Sequence, residues 1–362
     1  MGLCAAIVGC PKGRPSVPTP PELSVEARAR ARDRLPAVIP RDGSFRRGIA
    51  LGLFASAEAR KDREAVHSTL IDEVAALGAT DLELVVSWAQ LDVRSSTLSR
   101  DESSVTDAEL ELAIAKARSL GLRVFLMPIL RVVETRPSQW RGTLEPSDPK
   151  AWWRSYFEFV LHYAELSERT GVELFSVGSE LVSLEREEAR WRELISEVRK
   201  RFRGQLIYSA NWDHFAPVGF WDALDFMGVS AYAPASSKRD PSEELLVEGI
   251  WAFRSQLLTF ASEHELRVIL TEAGFPSNPR GTFRPWEYGG GGPADPELQL
   301  RAYRAFYRVW NDTPRLHGLY FWNWFGRGGL DDPGYSLRGK PALEVVRAWF
   351  TGGPRRAAGS PR

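Results

Sequence analysis

The 362-residue chain has two cysteines, Cys4 and Cys10, both within its first ten positions. The domain built from the rest therefore has no disulfide and no thiolate metal site available to it. Histidine is almost as scarce. Its five residues, at positions 67, 162, 214, 264 and 317, show neither H-E-x-x-H nor H-x-H spacing, so a metal-dependent hydrolase would lack its ligands. A phosphate-cradling G-x-x-x-x-G-K-[ST] is absent, as are a G-x-G-x-x-G between strand and helix and the G-x-S-x-G elbow of serine hydrolases. Net charge is lacking too: 47 Lys and Arg against 47 Asp and Glu give no electrostatic attraction for nucleic acid or an acidic surface. No repeat of solenoid length occurs, and a mean hydropathy of -0.27 excludes a membrane bundle.

What is present is an alternation. From Arg47 onward, short apolar runs alternate with longer amphipathic segments, as a parallel α/β fold requires. Eight strands are expected: Gly48 to Phe54, Leu82 to Trp88, Leu122 to Pro128, Val172 to Gly178, Gln205 to Ala210, Asp225 to Ala231, Arg267 to Glu272 and Gly318 to Trp324, each followed by a helix. Thr106 with Glu109 three residues on reads as a capping box, and Ser147 or Asp148 followed by Pro149 as a helix start. Eight such pairs in one uninterrupted run describe a single (β/α)8 TIM barrel over residues 41–352, with a disordered tail expected at 353–362. The charged run from Arg28 to Arg34 reads as a solvated face or tail, and the glycines from Gly289 to Gly292 as a loop tip.

In a parallel barrel the carboxyl ends of the strands open on one face, so residues distant in sequence can act together there. Two glutamates stand at such ends: Glu180 in F-S-V-G-S-E-L and Glu272 in V-I-L-T-E-A-G-F. A pair of this kind suits a retaining glycosidase. The other strand ends supply Trp88, Gln90, Arg131, Ser179, Asn211, Trp212, Asp213, Tyr232, Trp322, Asn323 and Trp324. Aromatic faces stack on sugar rings while carboxylates and amides bind hydroxyls, so the mixture suits a carbohydrate. Of the 13 tryptophans, Trp212 and Trp322 are read as sugar platforms; Trp152, Trp153, Trp191, Trp251, Trp310 and Trp349 fall inside expected helices and are read as core.

The words around these positions resemble glycoside hydrolase family 113, within the large clan of retaining barrel glycosidases. The matching stretches are W-R-G-T-L-E-P-S-D and W-W-R-S-Y-F-E-F-V between Trp140 and Val160, V-G-S-E-L, Y-S-A-N-W-D and F-W-D-A-L-D-F-M-G-V-S-A-Y, then L-T-E-A-G-F-P-S, F-W-N-W and G-K-P-A-L-E-V-V. The resemblance covers Arg47 to Phe350 and implies a β-mannanase that needs no cofactor. By position it makes Glu180 the acid/base and Glu272 the nucleophile. Tyr232 would lie close to that nucleophile and keep it ionised, and Trp322 would floor the subsite of the sugar undergoing cleavage. Glu180 would be protonated at rest and the two carboxyls about 5 to 5.5 Å apart. Two departures bear on sugar recognition: Ser179 stands before Glu180 where much of the clan has Asn, and M-P-I-L-R follows strand three in place of a more polar P-H-type sequence. Two other readings stay open, a retaining glycosidase for a different β-glycan and a surface lipoprotein that binds glycan without cleaving it. A monomer acting on a polysaccharide or oligosaccharide, with no nucleic-acid partner, is expected.

The N-terminus reads differently. Ile7 to Cys10 resembles a bacterial lipobox, with Cys10 as the lipidated residue, and Pro11 to Pro21 as an extended tether reaching the barrel, so that residues 1–40 form a signal remnant and linker. No Lys or Arg precedes Cys10, and the apolar stretch is short for a signal core. The expectation is an exported protein, in the cell envelope or extracellular, or a cytoplasmic one if the lipobox match is chance.

Overall fold

A computed structural model describes residues 19–54, 62–287, 292–326 and 328–352. The lipobox-like segment with Cys10 and all but the last residue of the glycine run lie outside these. Eight strands close into a parallel barrel in chain order: β1 Arg46–Gly52, β2 Asp81–Gln90, β3 Arg123–Val132, β4 Leu174–Ser179, β5 Gln205–Asn211, β6 Phe226–Ser230, β7 Val268–Ala273 and β8 Leu316–Phe321. α1 Val25–Arg32 precedes β1. The helices after the strands are α2 Arg63–Ala76, α3 Asp107–Ser119, α4 Pro149–Thr170, α5 Glu188–Arg199, α6 Glu243–Glu263, α7 Pro296–Trp310 and α8 Ala342–Thr351. Among the described residues no helix is long and apolar enough to cross a membrane.

The expected caps form. Thr106 and Glu109 exchange side-chain bonds with each other's backbone at the start of α3. Asp148 caps α4 with Pro149 at its first position, and Gly171 ends it at a φ of 72°, where a side chain would be strained. Two expectations fail. No α-helix follows β5; the connection from Asn211 to Phe226 holds only a three-residue 3-10 turn, Trp221–Ala223, since Pro217 and Gly219 interrupt it. β3 runs four residues past Pro128, because Ile129 and Leu130 are still buried.

The chain groups into two compact units. One comprises Leu51–Ile71 and Leu82–Ser230, and its helix layer is aromatic. Trp152 stacks on Tyr156 at 4.9 Å, Trp191 stacks on Phe220 at 5.1 Å, and Tyr208 lies edge-on to both Trp191 and Phe220. These rings account for Trp152, Trp153 and Trp191 as core.

The other unit holds residues 16–50, 72–81 and 231–362 as far as they are described. Arg46 pairs with Asp81 at 2.8 Å, both buried. Trp310 and Trp349 are core, as expected, but Trp251 is 56% exposed. α6 buries Leu246, Ile250, Phe253 and Leu257, the arc of a helix that excludes position 251.

Where a tether was expected up to residue 40, this unit has a docked segment. Ala31 of α1 is fully buried and Arg32 pairs with Glu344 of α8. Tyr307 Oη donates to Pro36 O at 2.7 Å, Asn311 Nδ2 donates to Ala37 O at 2.8 Å, and Ile39 N donates back to Asn311 Oδ1 at 3.1 Å. The charged run that read as a solvated face or tail is a solvated face: it alternates exposed arginines with alanines, and one of those alanines, Ala31, is buried.

Candidate active site

Glu180 follows the last residue of β4 and adopts φ 55°, the left-handed region that costs a non-glycine residue about 1 to 3 kcal/mol unless its surroundings impose it. They do so through two backbone donors. Glu180 N bonds Ser209 O at 2.8 Å, and Leu181 N bonds Tyr208 Oη at 2.9 Å. The Glu180 residue is 7% exposed, and its Oε2 accepts from Arg141 Nη2 at 2.6 Å. Arg141 opens a 3-10 turn, Arg141–Thr143, in the W-R-G-T stretch between β3 and α4.

Behind Glu180 lies a polar group that the sequence reading missed. Glu185 is buried; its Oε1 accepts from Tyr208 Oη at 2.7 Å and its Oε2 lies 2.6 Å from His214 Nδ1. Burial pushes the Glu185 carboxyl above its ordinary range, and the nearby charge of Glu180 adds to this, against the opposing pull of Tyr208 and His214. The available signal was His214 just past a strand end, six residues after Tyr208 and directly after the Y-S-A-N-W-D motif.

Glu272 is the fifth residue of β7 and is 5% exposed. Its Oε2 accepts from Tyr232 Oη at 2.9 Å, and its carbonyl accepts from Ala231 N at 2.6 Å, so the end of β6 carries both contacts. The Tyr232 ring lies edge-on to Tyr335 at 6.1 Å, and the Tyr335 hydroxyl in turn bonds Pro285 O in the loop after β7.

The remaining strand-end residues divide. Ser179 is buried beside Glu180 and its Oγ has no hydrogen-bond partner among the described residues. Asn211 donates to Asp213 at 2.8 Å, Trp212 is half-buried, and Arg131 is paired with Asp101. Trp322 is buried with its backbone N–H on Ala273 O at 2.9 Å, and the Nδ2 of Asn323 is buried without a hydrogen-bond partner among the described residues.

The structure places Trp88, Gln90 and Trp324 against helices of the surrounding layer. Trp88 and Gln90, two apart on β2, share one strand face, and that face packs on α4. The Trp88 ring lies 5.3 Å from Phe159 and 6.4 Å from Tyr163, and Gln90 Oε1 accepts from Trp152 Nε1 at 2.9 Å. Trp324 is buried, with Nε1 on Glu73 Oε2 of α2 at 2.9 Å; Arg338 binds the same carboxylate at 2.7 and 2.8 Å.

A closed parallel barrel with acidic residues at the carboxyl ends of its strands is the architecture on which glycoside hydrolases of the (β/α)8 type are built. The chain is a glycoside hydrolase. The profile of Glycoside Hydrolase Family 113 matches residues 50–330, and the chain belongs to that family. Among solved structures it is similar to the family 113 β-mannanase AaManA from Alicyclobacillus acidocaldarius in complex with ManMIm, with 28% identity, coverage of 86% of this chain and 98% of that one, and a TM-score of 0.75. A complex of a family 113 β-1,4-mannanase is 26% identical over 84% of this chain and 98% of its own, with a TM-score of 0.74. A family 5 mannosidase from Rhizomucor miehei, 12% identical over 87% of this chain and 97% of its own with a TM-score of 0.57, shares the fold. No curated protein sequence matches the chain.

Proposed function

We propose that the protein hydrolyses β-1,4-linked mannan or its oligosaccharides by double displacement, with Glu272 as nucleophile and Glu180 as general acid and base. The family and two β-mannanase neighbours support the substrate class. The observation that carries the assignment of roles is the contrast between the two carboxylates. Tyr232 orients one oxygen of the nearly buried Glu272, while Glu180 sits on a left-handed turn with Arg141 as its partner. In a parallel barrel both strand ends face the same way, which is what a paired reaction requires.

In the first step a Glu272 oxygen attacks the anomeric carbon as the glycosidic C–O bond breaks, and Glu180 gives its proton to the departing oxygen. A glycosyl ester on Glu272 and a shortened chain with a free hydroxyl result. Water then attacks the same carbon, Glu180 takes the water proton, and Glu272 is released as carboxylate. Trp322 and the unpartnered Ser179 hydroxyl are the sugar contacts of this reading, with Asn211 and Trp212 at the β5 end.

The test is a hydrolysis screen on β-mannan, glucomannan, β-glucan, xylan and galactan with Glu180→Gln and Glu272→Gln beside the unaltered chain. The reading expects mannan-type substrates to be cleaved and both variants to lose about three or more orders of magnitude in turnover while staying folded. Cleavage of another glycan in preference to mannan, or near-normal activity in both variants, overturns it.

A further inference from the structure

The turn that presents Glu180 is held by a group of residues outside the reacting pair. We propose that Tyr208, Glu185 and His214 are positioning residues for proton transfer at Glu180, a role that rests on the reading of Glu180 as acid/base.

The argument starts from the backbone. Glu180 has a side chain that opposes the left-handed φ of 55°, so neighbouring bonds must impose it. The bond just past it runs from Leu181 N to Tyr208 Oη at 2.9 Å. A tyrosine hydroxyl has one proton. As it accepts from Leu181, it directs that proton to Glu185 Oε1 at 2.7 Å. Glu185 must therefore keep this oxygen as an acceptor, and its other oxygen is engaged by His214 Nδ1 at 2.6 Å. The bonds form one directed relay, from the peptide after Glu180 through Tyr208 to Glu185 and His214.

Packing removes the alternatives. Tyr208 is fully buried, with ring centroids 5.1 Å from Trp191 and 5.3 Å from Phe220, so its hydroxyl cannot swing to another partner. Glu185 is 1% exposed, in a layer otherwise filled by rings. Placing a carboxyl there costs desolvation that an apolar residue would avoid, and a phenylalanine would fill the space of Tyr208 equally well. The polar atoms gain one thing a hydrocarbon could not supply, the fixed acceptor for Leu181 N–H. The groups facing Glu185 are Tyr208 on β5, His214 on the loop after it and Glu180 after β4, so the relay also lies within the electrostatic reach of the acid/base. His214, its side chain 34% exposed, is the outer end of the relay.

A positioning role leaves a signature that a loss of stability does not. The value of kcat/KM reports steps through glycosylation, in which a sugar leaving group needs a proton and a dinitrophenolate does not. A smaller folded fraction lowers both substrates equally; a displaced proton donor lowers only the first. The full chain carrying Tyr208→Phe is compared with the unaltered protein on mannohexaose and on dinitrophenyl β-mannobioside. The expected result is a fall of about 10- to 100-fold on mannohexaose and less than about threefold on the dinitrophenyl glycoside. Equal losses on both, or less than about a threefold loss on mannohexaose in a folded variant, overturn the proposal. If Tyr208→Phe does not fold, His214→Gln at the exposed end is read in the same way, with the same selective loss expected and the same outcomes overturning it. Glu180→Gln is measured alongside. Should it lack the leaving-group selectivity, the acid/base assignment itself fails; should it show that selectivity while Tyr208→Phe does not, this inference alone fails.

Discussion

The hydroxyl of Tyr232, two residues past β6, donates to Glu272 Oε2 on β7 at 2.9 Å, and the peptide before that tyrosine bonds the Glu272 carbonyl. The nucleophile of the proposed reaction is thus held by side chain and backbone from one neighbouring strand. Tyr232→Phe keeps the ring and removes the hydroxyl. A hydrogen bond to a charged group contributes about 1.5 to 3 kcal/mol, which converts to a fall in kcat of about 10- to 100-fold if the contact steers the attacking oxygen. Steady-state kinetics with a thermal melt on the same sample checks this, with an unchanged melting midpoint expected.

The two tryptophans of F-W-N-W are expected to separate into function and structure. Trp324→Phe leaves Glu73 with one partner fewer in a partly buried setting and is expected to cost about 1 to 3 kcal/mol of stability with KM unchanged. Trp322→Ala is expected to lower kcat/KM on mannohexaose by at least about tenfold, as the loss of a stacking face predicts. Urea unfolding and kinetics on both variants decide the matter; a raised KM in Trp324→Phe contradicts its assignment to the helix layer.

The docked N-terminal segment gives a third expectation. Asn311 bonds Ala37 O and Ile39 N, so Asn311→Ala is expected to lower stability by about 1 to 3 kcal/mol while leaving kcat unchanged. An unchanged unfolding midpoint contradicts the role given to this segment.

His67 on α2 predicts acid lability. Burial, reinforced by the charge of Arg63 and opposed by Glu109, pushes its imidazole down to about 4. The folded protein therefore resists a proton that the unfolded chain accepts near 6.5. The stabilisation is fully present above about 6.5 and is lost as pH falls through about 4, a span that corresponds to about 3 kcal/mol at most. Unfolding free energies of His67→Gln measured at pH 7 and pH 4 are expected to differ less than those of the unaltered chain; equal differences contradict the assignment.

Much of this was legible in the residues, and the gaps have physical causes. Strand ends, caps and the two glutamates could be read because each depends on local pattern: an apolar run, then Thr106 with Glu109, or Asp148 with Pro149. The direction of a side chain at a strand end does not follow from its being there. Trp88 and Gln90 sit where a sugar contact would sit, yet strand alternation turns them onto α4, and only the neighbouring Phe159 and Trp152 reveal it. The missing helix after β5 was marked by Pro217 and Gly219 but was overridden by the expected repeat. Glu185 was invisible because its partners, Tyr208 and His214, come from a different strand end.

The most direct measurement is active-site labelling. A 2-deoxy-2-fluoro-β-mannosyl fluoride slows the second step and leaves the sugar on the attacking residue, so that digestion and mass spectrometry locate it. The account predicts a single labelled peptide from V-I-L-T-E-A-G-F with the sugar on Glu272, and no label in Glu272→Gln. Label on Glu180 or on any other residue, or complete inactivation with no covalent adduct, contradicts it.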